Sequence, residues 1–184
     1  MMDPVRELKI RAEILGTRLS ARDAASLARL RALPELRRAD AAALAAMAEE
    51  AQRKHCLAVV ALECGFTGWG NARRALEGDP GEATLGTLLY GTGEGDSGVL
   101  NHWFMAHDDA RDFRDQAPSD RPYRYLLAYK RHFFVTARSF VKMLGMDPDD
   151  PDWRAIGYDW ARPEDPLARG RLYYKRLAAL RGAR

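Results

Sequence analysis

The chain has little of several features that would narrow its function. Its 184 residues include only two cysteines, Cys56 and Cys64, which stand eight positions apart on one predicted helix. Their side chains then point in different directions, so we expect no structural disulfide and a reducing compartment. No apolar run approaches the ~20 residues that span a bilayer, and the first residues lack the apolar stretch of a signal peptide. The sequence therefore predicts a cytoplasmic protein of bacterial type with no membrane partner.

An excess of charge of one sign is also missing. The formal net charge is +3, and both halves of the chain carry nearly equal numbers of acidic and basic residues. A strongly basic domain is the usual footprint of a nucleic-acid-binding protein, and neither half has it. With 47% hydrophobic and 30% charged residues, the composition indicates an ordinary globular protein of one or two compact units.

Residues 1–78 predict a module that is helical throughout. Apolar residues recur at helical spacing from Val5 to Leu19, and an Ala-rich helix is expected from Asp40 to about Glu63. Gly65 suits a left-handed helix cap, and Gly78 suits the end of a last short helix. The pattern predicts an all-α amino-terminal domain.

The stretch from His55 to Leu76 carries a resemblance. Its Ala-rich helix is followed by Gly65, the aromatic Phe66, small residues and Trp69. This pattern resembles a helical segment found at the start of many bacterial ankyrin-repeat proteins and beside some glyoxalase-like domains. The carboxy-terminal half, with the run Tyr125–Phe134, is similar to hypothetical bacterial proteins that carry the same segment. The chain as a whole thus resembles an uncharacterised bacterial protein family, which implies a helical module and no assigned activity.

The same segment invites comparison with a helix-turn-helix. Ala61 and Gly65 stand at the spacing of that motif's packing alanine and turn glycine. Asn71, however, occupies the position where the second helix should bury an aliphatic side chain. This departure favours a structural role for Phe66 and Trp69 over DNA recognition.

Residues 79–98 form a predicted Gly-rich linker or loop. Gly93, Gly95 and Gly98 satisfy the spacing of a dinucleotide-binding loop. A pyrophosphate there would face acidic side chains, and the segment after the loop predicts a strand where that site needs a helix. We therefore expect a flexible connection and no cofactor.

Residues 99–184 predict a small α+β unit. A strand is expected over His102–His107 and a helix over Asp109–Gln116, followed by a hairpin with arms Tyr123–Tyr129 and His132–Thr136. Further helices are expected from Ala137 onward, the last of them basic. The predicted fold class is α+β and mostly helical, with a small antiparallel sheet covered by helices on one face.

Basic and aromatic residues of this unit predict a binding surface. In the predicted hairpin, basic residues stand next to tyrosines in the sequence. The tail from Pro166 onward carries arginines and a lysine and no acidic residue. Such a surface suits single-stranded nucleic acid or an acidic protein partner. The other interpretation is that the apolar stripe of the tail docks it on the body while its cations stay solvated. The predicted binding residues are Tyr125, Tyr129, Lys130, Arg131, Arg138, Arg171, Lys175 and Arg176.

A competing hypothesis is a small enzyme or ligand-binding protein. Its pocket would lie between the helical and α+β units, lined by Trp103, His107, Tyr129 and His132. His102 and His107, five apart on a predicted strand, would face opposite sides, so no metal site is expected. No nucleophile elbow or other demanding catalytic spacing occurs. The sequence therefore favours a non-catalytic binding or interaction protein, and it leaves the oligomeric state open.

Overall fold

The computed structural model describes residues 3–79, 101–116, 123–129 and 131–182. Within these residues it contains nine α-helices and a three-stranded antiparallel sheet, so the predicted mostly helical α+β class is confirmed. The chain divides into two compact units, of which the first is Val5–Arg73 and the second is Arg74–Arg184 together with Met1–Pro4. The predicted Gly-rich linker lies almost wholly outside the described residues, and the predicted domain limits stay a prediction.

The first unit is built from short helices with capped ends. Asp23 and Asp40 each accept a hydrogen bond of 2.8 Å from a backbone N–H, of Ser26 and Ala43 respectively. The apolar face of the first helix is buried, as its periodicity predicts. The helices that lie wholly or mostly in this unit are α1 (Pro4–Ser20), α2 (Ala24–Arg29), α3 (Ala41–Glu49), α4 (Arg53–Glu63) and α5 (Trp69–Leu76), with 3-10 turns at Leu30–Ala32 and Pro34–Leu36.

The single helix predicted from Asp40 to Glu63 is wrong, because it is broken between α3 and α4. Gln52 has an extended backbone and begins a capping box, in which its N–H donates to Nδ1 of His55 at 3.1 Å. Gly65 has a φ value of +86°, so the predicted left-handed cap is confirmed. Gly78, which was predicted to end the last helix of this module, follows α5 closely and has a φ value of +91°. Both cysteines are buried and free.

The second unit surrounds the sheet, whose strand order is β1-β3-β2. The hairpin is confirmed, since Tyr129 pairs with His132 and leaves a two-residue connection. Lys130, half of that predicted turn, lies outside the described residues. The elements of this unit are β1 (His102–Phe104), α6 (His107–Gln116), β2 (Tyr123–Tyr129), β3 (His132–Ala137), α7 (Arg138–Met143), α8 (Pro151–Ala155) and α9 (Pro166–Gly182).

Helices contact both faces of the sheet, so the prediction of one covered face is wrong. Leu126, Ala128 and Val135 pack with Ala110 of α6 on one face. On the other face the ring of Phe134 lies 5.5 Å from that of Phe140 in α7, and the ring of Tyr125 lies 5.0 Å from that of Trp153 in α8. Successive side chains of a strand point to opposite faces, so the consecutive apolar residues in β2 and β3 pack against helices on both faces.

The predicted strand over His102–His107 is too long. β1 ends at Phe104, and His107 is the first residue of α6. His107 therefore lies on a helix, and the argument that placed it opposite His102 on a strand no longer applies. Among the helices that the structure describes, none combines the length and the apolar character needed to cross a lipid bilayer.

Candidate anion-binding pocket

A cavity of about 280 Å³ opens beside the outer edge of β2. Five short segments supply its walls: β2, the start of α7, the turn that leads into α8, α8 itself, and the residues after α8. Three of its six polar lining side chains are basic and two are acidic. The residues that concern its chemistry are Arg124, Arg138, Asp149, Asp150, Arg154 and Tyr158.

Tyr158 reaches the pocket through a left-handed backbone. Its φ is +55°, directly after Gly157 at +64°. A bulky residue in this conformation costs on the order of 1–2 kcal/mol, so the surrounding structure must hold it there. The N–H of Tyr158 donates to the Trp153 carbonyl at 2.8 Å, and its own carbonyl accepts the N–H of Leu126 at 2.9 Å. These two bonds fix the ring at the pocket wall.

Arg124 is held against that ring. Its guanidinium carbon lies 4.9 Å from the centre of the Tyr158 ring, and its Nη1 donates to the Tyr158 hydroxyl at 3.3 Å. The two residues are 34 positions apart and meet because Leu126 pairs with Asp159 in a parallel bridge. The pairing of the chain after α8 with β2 therefore assembles this wall.

Each carboxylate of the pocket has a cationic partner. Arg138 forms a two-bond pair with Asp149, with Nη1 2.5 Å from Oδ1. This pair lowers the pKa of Asp149, and the charges of Lys142 and Arg124 add to the effect. Asp150 caps α8 by accepting the N–H of Asp152 at 3.0 Å, and its other oxygen accepts from Nζ of Lys175 at 2.5 Å.

Two arginines of the pocket lack such a partner. Within the described part of the chain, neither Arg124 nor Arg154 lies within ion-pair distance of a carboxylate, and both are exposed. The paired groups cancel one another, so these two guanidinium groups give the pocket a positive charge. Planar guanidinium groups with several N–H donors bind carboxylate and phosphate oxygens.

The predicted hairpin residues are placed differently from one another. Tyr125 is buried, and its hydroxyl donates to the Pro148 carbonyl at 2.7 Å, so it supports the pocket wall from behind. Burial raises the pKa of its phenol. Tyr129 is half-buried against Trp103, with ring centres 6.1 Å apart. Arg131 is exposed, and Lys130 lies outside the described residues. Of the predicted cations, Arg138 is the one that lines the pocket.

The predicted tail cations bind other parts of the same chain. Arg171 donates to Asp152 at 2.6 and 2.8 Å, and Lys175 contacts Asp150 and Asp152 at 2.5 and 2.7 Å. Arg176 is buried and donates to the Leu144 carbonyl at 2.5 Å. These three side chains therefore hold α9 against the end of α7 and the start of α8.

The four residues of the alternative pocket do not converge. Trp103 stacks on Phe134, and the strand pairing places Tyr129 and His132 on this same face of the sheet. His107 packs against Phe133, which points to the opposite face. The structure thus brings Trp103, Tyr129 and His132 together and separates His107 from them.

The imidazole of His107 is buried and contacts the carboxylate of Asp159. Its Nε2 lies 2.7 Å from Oδ2 of Asp159, and both residues are buried. The other oxygen of Asp159 accepts the N–H of Arg162 at 2.8 Å. This geometry connects α6 to the segment after α8. Within the described residues, His, Cys, Asp and Glu side chains form no group of three or more that could hold a metal ion.

Sequence reasoning missed Arg124, Arg154 and Tyr158. Nothing in their spacing marks them as neighbours, because the parallel pairing with β2 that joins them is a tertiary contact. Comparison of the chain with protein-family models, with curated proteins and with solved structures finds no match. The resemblance to bacterial ankyrin-associated and glyoxalase-associated segments therefore stays a prediction.

Proposed function

We propose that the chain is a non-catalytic binding protein that recognises an anionic group of its partner through the pocket of Arg124, Arg138 and Arg154. The observation that carries this proposal is the convergence of three guanidinium groups on one cavity, two of them without a carboxylate partner in the described residues. An anion that enters the cavity would receive charge-assisted hydrogen bonds, which are stronger than neutral ones.

The strained backbone of Tyr158 supports the same site. Costly backbone conformations concentrate where a side chain must be held for function. Here the conformation places the Tyr158 ring beneath Arg124 and brings the phenol hydroxyl to the pocket. Arg124 donates one of its N–H groups to the Tyr158 hydroxyl, and a guanidinium stacked on the ring keeps its other N–H donors available to a ligand.

The two partner classes that the sequence favours, nucleic acid and acidic protein, both carry anionic groups. Binding along a nucleic-acid backbone needs several cations in a row, and its affinity falls steeply with salt. Three of the tail cations instead form internal contacts. A small cavity with converging arginines suits one anionic group, so we favour a partner that presents a discrete acidic group.

Thermal unfolding in the presence of inorganic sulfate tests the proposal. At constant ionic strength set with sodium chloride, sulfate should raise the melting temperature of the wild-type protein, because a ligand that binds only the folded state stabilises it. Arg124→Gln and Arg154→Gln should each weaken sulfate binding about tenfold, the effect of losing one charge-assisted hydrogen bond.

The matched control is Arg131→Gln, which removes the same charge from an exposed hairpin position outside the pocket. It should leave the response to sulfate unchanged. A wild-type protein that shows no response to sulfate would refute the pocket as an anion site. If Arg131→Gln and Arg154→Gln weakened the response to sulfate equally, the stabilisation by sulfate would be an effect of general surface charge and not of the pocket.

A further inference from the structure

The charges of the pocket specify the kind of anion that it accepts. Arg138 is matched by Asp149, and Asp150 is matched by Lys175, which approaches from α9. Arg124 and Arg154 are left as two positive charges among the described residues that line the cavity. A carboxylate or a phosphodiester brings one negative charge and would leave one of these guanidinium groups unmatched.

We propose that the pocket binds a phosphate monoester in its doubly charged form. This inference rests on the proposed function, since it names the ligand class of the same site. A phosphate monoester carries a charge of about −1.5 to −2 at neutral pH and offers three terminal oxygens that accept hydrogen bonds. Arg124 and Arg154 supply the matching charges, and the Tyr158 hydroxyl stands beside Arg124 as a further polar contact.

None of the described residues that line the pocket is of a type whose ordinary pKa lies in the range in which the phosphate titrates. The second ionisation of a phosphate monoester has a pKa near 6. The ionisable groups that face the cavity are arginines, two aspartates and a tyrosine, and none of the described lining residues is a histidine. Arg138 holds the pKa of Asp149 below its ordinary value, so that carboxylate stays ionised above about pH 4. A change in affinity between pH 5 and 7.5 therefore reports the ligand.

Two isosteric probes separate the charge of the ligand from its shape. Phenyl phosphate is largely a dianion at pH 7.5 and largely a monoanion at pH 5.0, whereas phenyl sulfate is a monoanion at both. By calorimetry at constant ionic strength, phenyl phosphate should bind about tenfold more tightly than phenyl sulfate at pH 7.5, the effect of one additional charge-assisted interaction. At pH 5.0 the two affinities should agree within about twofold.

Variants at Arg154 test the charge count directly. Arg154→Gln should remove the preference for phenyl phosphate, because one unmatched charge remains and a monoanion satisfies it. Arg154→Lys keeps the charge and should keep most of the preference. Equal binding of both probes to the wild-type protein at pH 7.5 would overturn the dianion inference. The proposed function would still stand if Arg154→Gln weakens the response to inorganic sulfate and Arg131→Gln does not. Failure to bind sulfate and both probes would overturn the two together.

A separate arm of the same experiment tests which kind of molecule carries the phosphate monoester. A peptide that contains phosphoserine and the sugar phosphate glucose 6-phosphate present the same charged group on different carriers. Preference for the peptide by about tenfold or more would assign the site to a phosphorylated protein. The reverse preference would assign it to a small phosphorylated metabolite. Binding of neither carrier, with phenyl phosphate still preferred over phenyl sulfate, would restrict the inference to aryl phosphates.

Discussion

Replacing Asp152 by asparagine should destabilise the second unit. The Asp152 carboxylate accepts hydrogen bonds from Nε and Nη2 of Arg171 at 2.8 and 2.6 Å and from Nζ of Lys175 at 2.7 Å. Asparagine has nearly the same shape, but it lacks the charge and turns one oxygen into an N–H donor that faces a cation. The Asp152→Asn variant therefore removes the electrostatic link between α8 and α9 with little change in packing.

The exposure of the partners sets the expected magnitude. The Asp152 side chain is 10% exposed, while those of Arg171 and Lys175 are 37% and 32% exposed. Removing one member of a fully buried pair costs about 3–5 kcal/mol, and a surface pair contributes about 0–1 kcal/mol. Lys175 keeps Asp150 as a partner, and Arg171 keeps Asp165 at 3.8 Å. We expect a loss of about 2 kcal/mol, between these limits.

Urea unfolding followed by tryptophan fluorescence measures this loss, because Trp153 and Trp160 are buried in the same unit. Asp165→Asn is the matched control: asparagine caps a helix as well as aspartate does, and the ion pair that is lost is long. It should cost less than about 0.5 kcal/mol. A loss for Asp152→Asn within about 0.5 kcal/mol of that control would refute the reasoning.

Acid should erase the difference between wild type and Asp152→Asn. Burial alone would raise the pKa of Asp152, but hydrogen bonds from Arg171 and Lys175 outweigh it and lower that pKa in the folded protein. The contribution of this carboxylate is therefore fully present above the unfolded pKa of about 3.9 and is lost as the pH falls through the folded value. A difference that persisted unchanged at pH 2 would show that the charge is not its origin.

Four further substitutions and one thiol measurement test the packing and the backbone. Gly157→Ala should cost at least about 1 kcal/mol in urea unfolding, because φ is +64° and the added Cβ would lie 2.6 Å from Oε1 of Glu164. Gly170→Ala, in a helix with open space around the new Cβ, should instead stabilise by about 0.5–1 kcal/mol. Trp153→Ala should cost about 3–5 kcal/mol, since its side chain is fully buried, whereas Trp103→Ala, at a position 49% exposed, should cost much less in the same assay. The Cys56 thiol, whose pKa is raised by burial, should react with a thiol reagent at the rate of unfolding, and fast reaction of the native protein would contradict its burial.

Local patterns were enough to predict much of the fold. The spacing of Leu8, Ala12 and Leu15 predicts a helix with one buried face, and these residues are buried. The two apolar runs around residue 130 predict the hairpin that the structure contains. The end of β1 was not predicted, because the strand-like pattern continues to His107. It does not show that His107 already belongs to a helix. Such ends depend on tertiary contacts, here the bond between His107 and Asp159.

The spacing of residues along the chain does not predict which of them form the candidate site. Arg171 and Lys175 look like free cations in a tail without acidic residues, yet their partner Asp152 stands about twenty positions earlier. Arg124 and Arg154 have unremarkable neighbours in sequence, and they line one cavity because the chain after α8 returns to β2. Charge counted along a chain therefore says little about which charges remain available for a partner.

The short pairing between Leu126 and residues 158–160 also affects how the protein behaves at high concentration. A strand at the edge of a sheet offers N–H and C=O groups to other chains, and this is a common route to aggregation. The N–H and carbonyl of Leu126 are instead bonded at 2.9 Å to Tyr158 and Trp160. Loosening this segment, as Gly157→Ala should do, would uncover the apolar strand Tyr123–Tyr129. Such variants are expected to self-associate before they lose their helices.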